Sequence, residues 1–189
     1  MELIDKDEIQ SRKLELFQKL KSGAVFIYGT DTIYGIGSDA TNTKAVQRIR
    51  KIKQRPDSPF SVIATSVKWI LENCEISGNE KELEKLPGPY TLILKLKNKN
   101  CISKQVNPTN ETLGVRIPEH WISEFVSEFG KPIVTTSVNK TNEPFITSTE
   151  DLQKEIEEKV DFMIDEGKIN GNPSTIIDLT KKKKQIIRR

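Results

Sequence analysis

Histidine is almost missing from this chain: among 189 residues only His120 carries an imidazole. Cysteine is nearly as scarce, with Cys74 and Cys101 standing far apart. Those two counts leave no Cys/His ligand set at metal-binding spacing, so no protein-bound transition metal is expected. A Ser-His-Asp hydrolase would have to use His120, and no nucleophile-elbow pattern accompanies it. His120 lies between Pro118 and Trp121 at an expected helix start, where a surface or capping role is the ordinary one. The two thiols read as free cysteines in a reducing cytoplasm, and a cytoplasmic location is expected. No apolar run approaches the length of a membrane span, so no membrane partner is expected. The start MELIDKDEIQ lacks the basic beginning and apolar core of a secretory signal. No GKS or GKT follows a glycine-rich loop, and no dinucleotide-binding spacing is present.

The charge excess is also small: 30 basic against 27 acidic residues, a net charge of +3. Nucleic-acid binding does not follow from that balance alone. The densest basic run, residues 181–184, reads as a solvated hairpin tip, with a secondary phosphate contact as the alternative. It lacks the interleaved aromatics that single-strand binders use for stacking.

What is present is a well-solvated globular composition, 35% apolar and 30% charged. The length suits one domain over residues 1–189, with no internal repeat or linker. Strand and helix patterns alternate. Residues 7–21 place Ile9, Leu16, Phe17 and Leu20 on one helical side before Gly23. A second helix, capped by Asn42 or Thr43, carries Ala45, Val46, Ile49 and Ile52. Further helices are expected after Ser66, across residues 119–129, and from Ser148 or Thr149 through Lys159. Apolar runs at residues 24–28, 60–64, 90–96, 113–117 and 132–137 read as strands, with closing strands at 162–165, 175–179 and 185–188. The fold class is α/β with a twisted mixed sheet. The loops over residues 98–112 and 139–148 are placed to border a cleft.

Chemistry concentrates in four segments. AVFIYGTDTIYGIG, residues 24–37, is a strand that stops in a loop of hydroxyls and glycines. Gly29, Gly35 and Gly37 are expected to take positive φ or to lie close to a ligand. The same pattern also fits a decorated tight turn. In KIKQRPDSPFSVI, residues 51–63, Pro56 ends a helix just after Lys53 and Arg55. Both cations therefore stand at a helix terminus expected to be solvent-accessible. In LGVRIPEH, residues 113–120, Arg116 sits in a strand read as apolar on both sides. It must be paired, satisfied or turned to a cavity, because an unpaired buried charge costs several kcal/mol. PIVTTSVNKTNEP, residues 132–144, turns hydroxyl-rich at its end, and Ser137 and Asn139 point to one side of an extended chain.

Taken in order, these segments resemble the YrdC-like threonylcarbamoyl-AMP synthase family in its short, stand-alone form. The resemblance runs through TDTxYGxG at 30–37, KxRP at 53–56, PGPYTLIL at 87–94, GVRIP at 114–118, SxN at 137–139 and PSTIID at 173–178. It implies a twisted sheet with a large basic concave cavity. It implies condensation of L-threonine, bicarbonate and ATP into threonylcarbamoyl-AMP and pyrophosphate, with Mg2+ accompanying ATP. A threonylcarbamoyl transferase complex would receive the product for modification of tRNAs that read codons starting with A. By the resemblance, Lys53, Arg55, Val115, Ser137, Asn139 and Arg188 face ATP, and Thr30, Arg116, Thr135 and Ser174 face threonine. No side chain is implied as a nucleophile; alignment and charge neutralisation carry the reaction.

The chain departs from the family pattern at Gly29, where proline commonly precedes the TDT triplet, which is expected to loosen the loop. It also departs at Ile63, where some members have a threonine-contacting histidine, and at Phe145, where a phosphate-contacting serine is frequent. Two other readings use the same features. One is a double-stranded RNA-binding or ribosome-assembly factor. The other is a paralogue in carbamoyl transfer for hydrogenase maturation, for which the chain lacks the accompanying modules.

Overall fold

The computed structural model describes residues 1–140, 143–181 and 183–187. The first half of the chain runs β1 (Glu2–Asp5), α1 (Ile9–Lys21), β2 (Phe26–Tyr28), β3 (Gly35–Gly37), α2 (Thr43–Lys53), β4 (Ser61–Ile63), α3 (Val67–Asn73) and β5 (Cys74–Glu75). The second half runs β6 (Tyr90–Leu96), β7 (Thr112–Arg116), α4 (Trp121–Phe129), β8 (Ile133–Ser137), α5 (Lys154–Glu157), β9 (Phe162–Asp165), β10 (Thr175–Asp178) and β11 (Gln185–Ile187). The strands form one twisted mixed sheet in the order β1-β9-β2-β3-β8-β4-β7-β6-β10-β11, with β5 added to β6.

Side-chain alternation in the central strands decides what each face of the sheet does. Leu92, Val115, Val62 and Val134 lie in register across β6, β7, β4 and β8. This apolar row joins Val46, Ile49 and Ile52 of α2 and Ile70 of α3 in the larger core cluster. Each such fully buried side chain contributes roughly 1.5–3 kcal/mol. One residue along, the register row is Ile93, Gly114, Ser61 and Thr135, on the opposite face. These side chains are mostly small and hydroxylated. On that face α1 and α4 cover the β1-β9-β2 end and the adjoining ends of β8 and β4, where Leu16, Leu20, Ile122 and Phe125 cluster with Phe26, Tyr28, Phe162, Ile133 and Ile63. The rest of the face is left as a cleft.

Helix ends follow the sequence signals. The Asn42 side chain accepts the Ala45 N–H at 3.1 Å, and the Ser66 hydroxyl accepts the Trp69 N–H at 3.0 Å. Gly130 closes α4 in the left-handed region, at φ +77°.

Several expectations are corrected. The helix expected from residue 148 to 159 is a 3-10 turn, Thr149–Asp151, followed by the one-turn α5. The Ser148–Asp151 capping box is formed, but Leu152 takes extended backbone and breaks the helix. Residues 162–165 do form the expected strand, β9, but it inserts between β1 and β2 rather than beside the other late strands, β10 and β11. β1, which sequence patterning did not reveal, pairs in parallel with β9. Gly35 and Gly37 belong to a strand rather than a loop, and neither they nor Gly29 have positive φ. They are glycine because neighbours crowd them: a Cβ on Gly37 would stand 2.2 Å from the Val134 carbonyl oxygen.

Candidate active site

The cleft has two adjoining parts that share Ser61, Thr91 and Ile176 as a common floor. The first part, about 300 Å³, is lined by Thr30, Arg116, Thr135, Ser137, Asn139 and Ser174 among others. Gly114 keeps the floor low, since a Cβ there would meet the Ser61 hydroxyl at 2.4 Å. Arg116 ends β7 on this face and is only 5% exposed. Its Nη2 donates to Asp31 Oδ1 at 2.5 Å and its Nη1 to the Thr32 hydroxyl at 3.2 Å. Asp31 is itself held by the Glu119 N–H, 3.1 Å from Oδ2. Burial lowers the pKa of Arg116 and the Asp31 carboxylate opposes that shift. The buried Nε–H has no acceptor among the described residues. A guanidinium tied on one side with a donor left over is suited to a carboxylate ligand.

The hydroxyls around it are not equivalent. Thr30 Oγ1 donates to the Ile33 carbonyl at 2.7 Å and accepts from the Thr32 and Ile33 N–H groups, so it shapes its own loop. Ser174 Oγ lies 2.8 Å from Thr91 Oγ1, joining the segment before β10 to the cleft floor.

The second part, about 420 Å³, is lined by Arg55, Asn107, Thr112, Asp178 and Lys181 among others. Arg55 is partly exposed, with its guanidinium 5.7 Å from the Phe60 ring centroid. Lys53 corrects the expectation of a solvent-accessible pair, being only 3% exposed. Its Nζ donates to the Ser137 carbonyl at 2.5 Å, the Asn139 carbonyl at 2.8 Å and Asn139 Oδ1 at 3.0 Å. Ser137 Oγ donates to the same Asn139 Oδ1 at 2.6 Å. Lys53 thus ties the end of α2 to the end of β8.

A family model described as Telomere recombination, Sua5/YciO/YrdC, matches residues 18–189. The chain belongs to the Sua5/YciO/YrdC family. A protein of Methanocaldococcus jannaschii named putative threonylcarbamoyl-AMP synthase is 34% identical over 180 residues, 92% of this chain and 83% of that one. Among solved structures, P. abyssi Sua5 complexed with L-threonine superposes with a TM-score of 0.85 at 26% identity. It covers 99% of this chain, which spans only 56% of that Sua5. E. coli YciO superposes with a TM-score of 0.84 at 27% identity, covering all of this chain and 94% of its own.

Against the Sua5/YciO/YrdC pattern, the fold brings Thr30, Arg116, Thr135, Ser137, Asn139 and Ser174 to one cavity and Arg55 to the adjoining one. Val115 is fully buried in the apolar row, so any nucleotide contact from it would be made by main chain. Ile63 likewise packs into the core with Ile122 and Ile133, whereas Phe145 does line the first cavity. Arg188 lies outside the described residues. The strand of Arg116 is not apolar on both sides, because Gly114 and Arg116 share the cleft face while Val115 turns inward.

His120 occupies the N-terminal position of α4 without capping it. It packs instead with Nε2 3.1 Å from Glu166 Oε2. Two further residues escaped sequence reasoning. Asp31 is 85 positions from its Arg116 partner, and only its place within TDT marked it. Arg50 carries no sequence signal beyond being a basic residue of α2. It is 6% exposed, and it donates to the carbonyls of Gln105, Arg55, Pro56, Ser58 and Val106 at 2.7–3.2 Å. That guanidinium shapes the turn carrying Arg55.

Among the described residues no helix is long and apolar enough to cross a membrane.

Proposed function

We propose that the protein is an L-threonylcarbamoyl-AMP synthase, condensing L-threonine, bicarbonate and ATP to threonylcarbamoyl-AMP and pyrophosphate. One observation carries the reading: a cleft-lining, buried Arg116 with an unaccepted Nε–H, ringed by hydroxyls, in a chain whose relatives bear that name. The threonine carboxylate fits the remaining guanidinium donors, with Thr135 and Ser174 beside the amino-acid side chain and the Thr30 turn forming one wall. ATP fits the adjoining part, with its phosphates toward Arg55 and toward Ser137 and Asn139, which Lys53 secures. Magnesium enters with the triphosphate as part of the substrate.

The threonine amine first bonds to the bicarbonate carbon, a C–O bond breaks and water leaves, giving the carbamate. A carbamate oxygen then attacks the α-phosphorus, the bond to the bridging oxygen breaks, and pyrophosphate leaves with that electron pair. The residues on hand supply charge, hydrogen bonds and alignment rather than a nucleophile. A threonylcarbamoyl transferase acting on tRNA would consume the product. The test is pyrophosphate release from Mg-ATP with threonine or bicarbonate omitted in turn. Release that requires both supports the reading, and release indifferent to both refutes it.

A further inference from the structure

Residues 166–174 cross the amino-acid part of the cleft as a strap between β9 and β10, and deliver Pro173 and Ser174 to its wall. Four contacts pin the strap, one of them the Ile169 N–H donating to the Thr147 carbonyl at 2.8 Å. At its end, Ser174 meets Thr91. In its middle, Gly171 lies so close to the loop of Thr32 that a Cβ would stand 1.7 Å from the Thr32 carbonyl oxygen. At its start, the Glu166 N–H donates to the Tyr34 hydroxyl at 3.0 Å, and that hydroxyl donates to the Gly167 carbonyl at 2.7 Å.

The start also carries the charged anchor. The Glu166 side chain is 7% exposed, with Oε2 3.1 Å from His120 Nε2 and 3.4 Å from Lys6 Nζ. Asp165 is the other charged group nearby, 3.4 Å from the Tyr34 hydroxyl. The Glu166 carboxylate can occupy this place only because residue 29 is glycine. A Cβ on Gly29 would stand 2.0 Å from Glu166 Oε1 and 2.7 Å from its Cδ, with the flexible Ile169 Cδ1 next at 2.9 Å. Burial pushes the Glu166 carboxyl upward, and the neighbouring His120, followed by Trp121 and Lys6, reverses this and leaves it below its ordinary value.

We infer that Glu166 is a positioning residue: seated in the space beside Gly29 and tied to His120 and Lys6, its carboxylate holds the strap so that Ser174 faces the bound amino acid. The inference rests on reading this part of the cleft as the threonine site. It predicts an interdependence between two residues 137 positions apart, because Gly29 matters through Glu166.

The test is a double-mutant cycle of Gly29→Ala, Glu166→Ala and the pair, in the full chain. Amide exchange over residues 166–174 is read without ligand, and threonine and ATP binding are read separately by calorimetry. Glu166→Ala is expected to speed strap exchange and weaken threonine binding about tenfold, with ATP affinity little changed. Gly29→Ala is expected to reproduce that effect alone and to lose most of it once Glu166 is alanine, the remainder coming from Ile169 Cδ1, which also lies 2.9 Å from the added Cβ. Glu166→Gln, which keeps the side-chain shape, serves if the alanine variant does not fold. Unchanged strap exchange in the Glu166 variant overturns the inference, as does a Gly29→Ala effect that persists undiminished in the double variant. Failure of the native protein to bind threonine would refute the substrate reading, while the exchange measurements would still decide the anchor.

Discussion

Replacing Lys53 by methionine tests whether this cation is built into the fold. The substitution keeps an unbranched apolar stem and deletes an ammonium that is 3% exposed and donates to the Ser137 carbonyl and to both oxygens of Asn139. Hydrogen bonds to a charged group contribute about 1.5–3 kcal/mol net, and stranded acceptors add to the loss. Two effects reduce it: water can reach Ser137 and Asn139 from the cleft, and burying the ammonium itself was costly. The balance is a loss of about 2–4 kcal/mol, which for a domain of this size lowers Tm by roughly 5–15 °C. Urea unfolding and calorimetry give the measurement. Arg55→Ala is the control, since that side chain is partly exposed and its loss should cost less than about 1 kcal/mol. A Lys53→Met variant as stable as the native protein, with pyrophosphate release impaired, would refute the reasoning and make Lys53 purely a ligand-facing cation.

Arg116→Lys should weaken threonine use by about tenfold or more, because an ammonium cannot reproduce the fork, while the KM for ATP stays nearly unchanged. Steady-state kinetics with each substrate varied would reveal it, and a lower Tm with an unaltered threonine KM would mean a purely structural arginine. Arg50→Lys should lose most of the carbonyl contacts that shape residues 55–58, lowering stability by about 2–4 kcal/mol and raising the KM for ATP more than that for threonine. An ATP KM equal to the native value would separate this turn from the nucleotide. Because the Glu166 carboxyl titrates below its ordinary value when folded, its contribution to stability is present above the ordinary carboxyl range and is lost as pH falls through the lowered value. Glu166→Gln should therefore show a shallower loss of stability on acidification, read by urea unfolding at a series of pH values, and an unchanged slope would contradict the ion-pair account.

Local rules determined much of the molecule. Helical periodicity placed Leu16 and Leu20 in the core, Asn42 and Ser66 marked helix starts, and Gly130 marked a stop, because a few neighbouring residues decide each of these. The cleft face was also latent in the chain. The strand T-L-G-V-R alternates polar or small with apolar residues, S-V-I and I-V-T-T-S set Ser61 and Thr135 next to the inward Val62 and Val134, and the pleat sends neighbours to opposite faces. The hydroxyl loop, the KxRP corner and the lone strand arginine were legible as candidate site residues because each is costly or odd in a plain scaffold.

Tertiary structure alone decided how the charges were used. Lys53, Arg55 and Arg50 stand on one helix end with similar local signals. The approach of β8 encloses Lys53, whereas Arg50 is enclosed by the turn at residues 55–58 together with the return of residues 105–106. Asp31 and Arg116, like Gly29 and Glu166, become partners through sheet order, and no short window of sequence contains both members of either pair. The same holds for β1 and β9, where pairing across 160 positions in register makes a strand of four residues with weak intrinsic preference. Propensity and capping act over a few residues and can be read along the chain. Burial of a charge depends on which distant segment closes over it, and folding alone determines that.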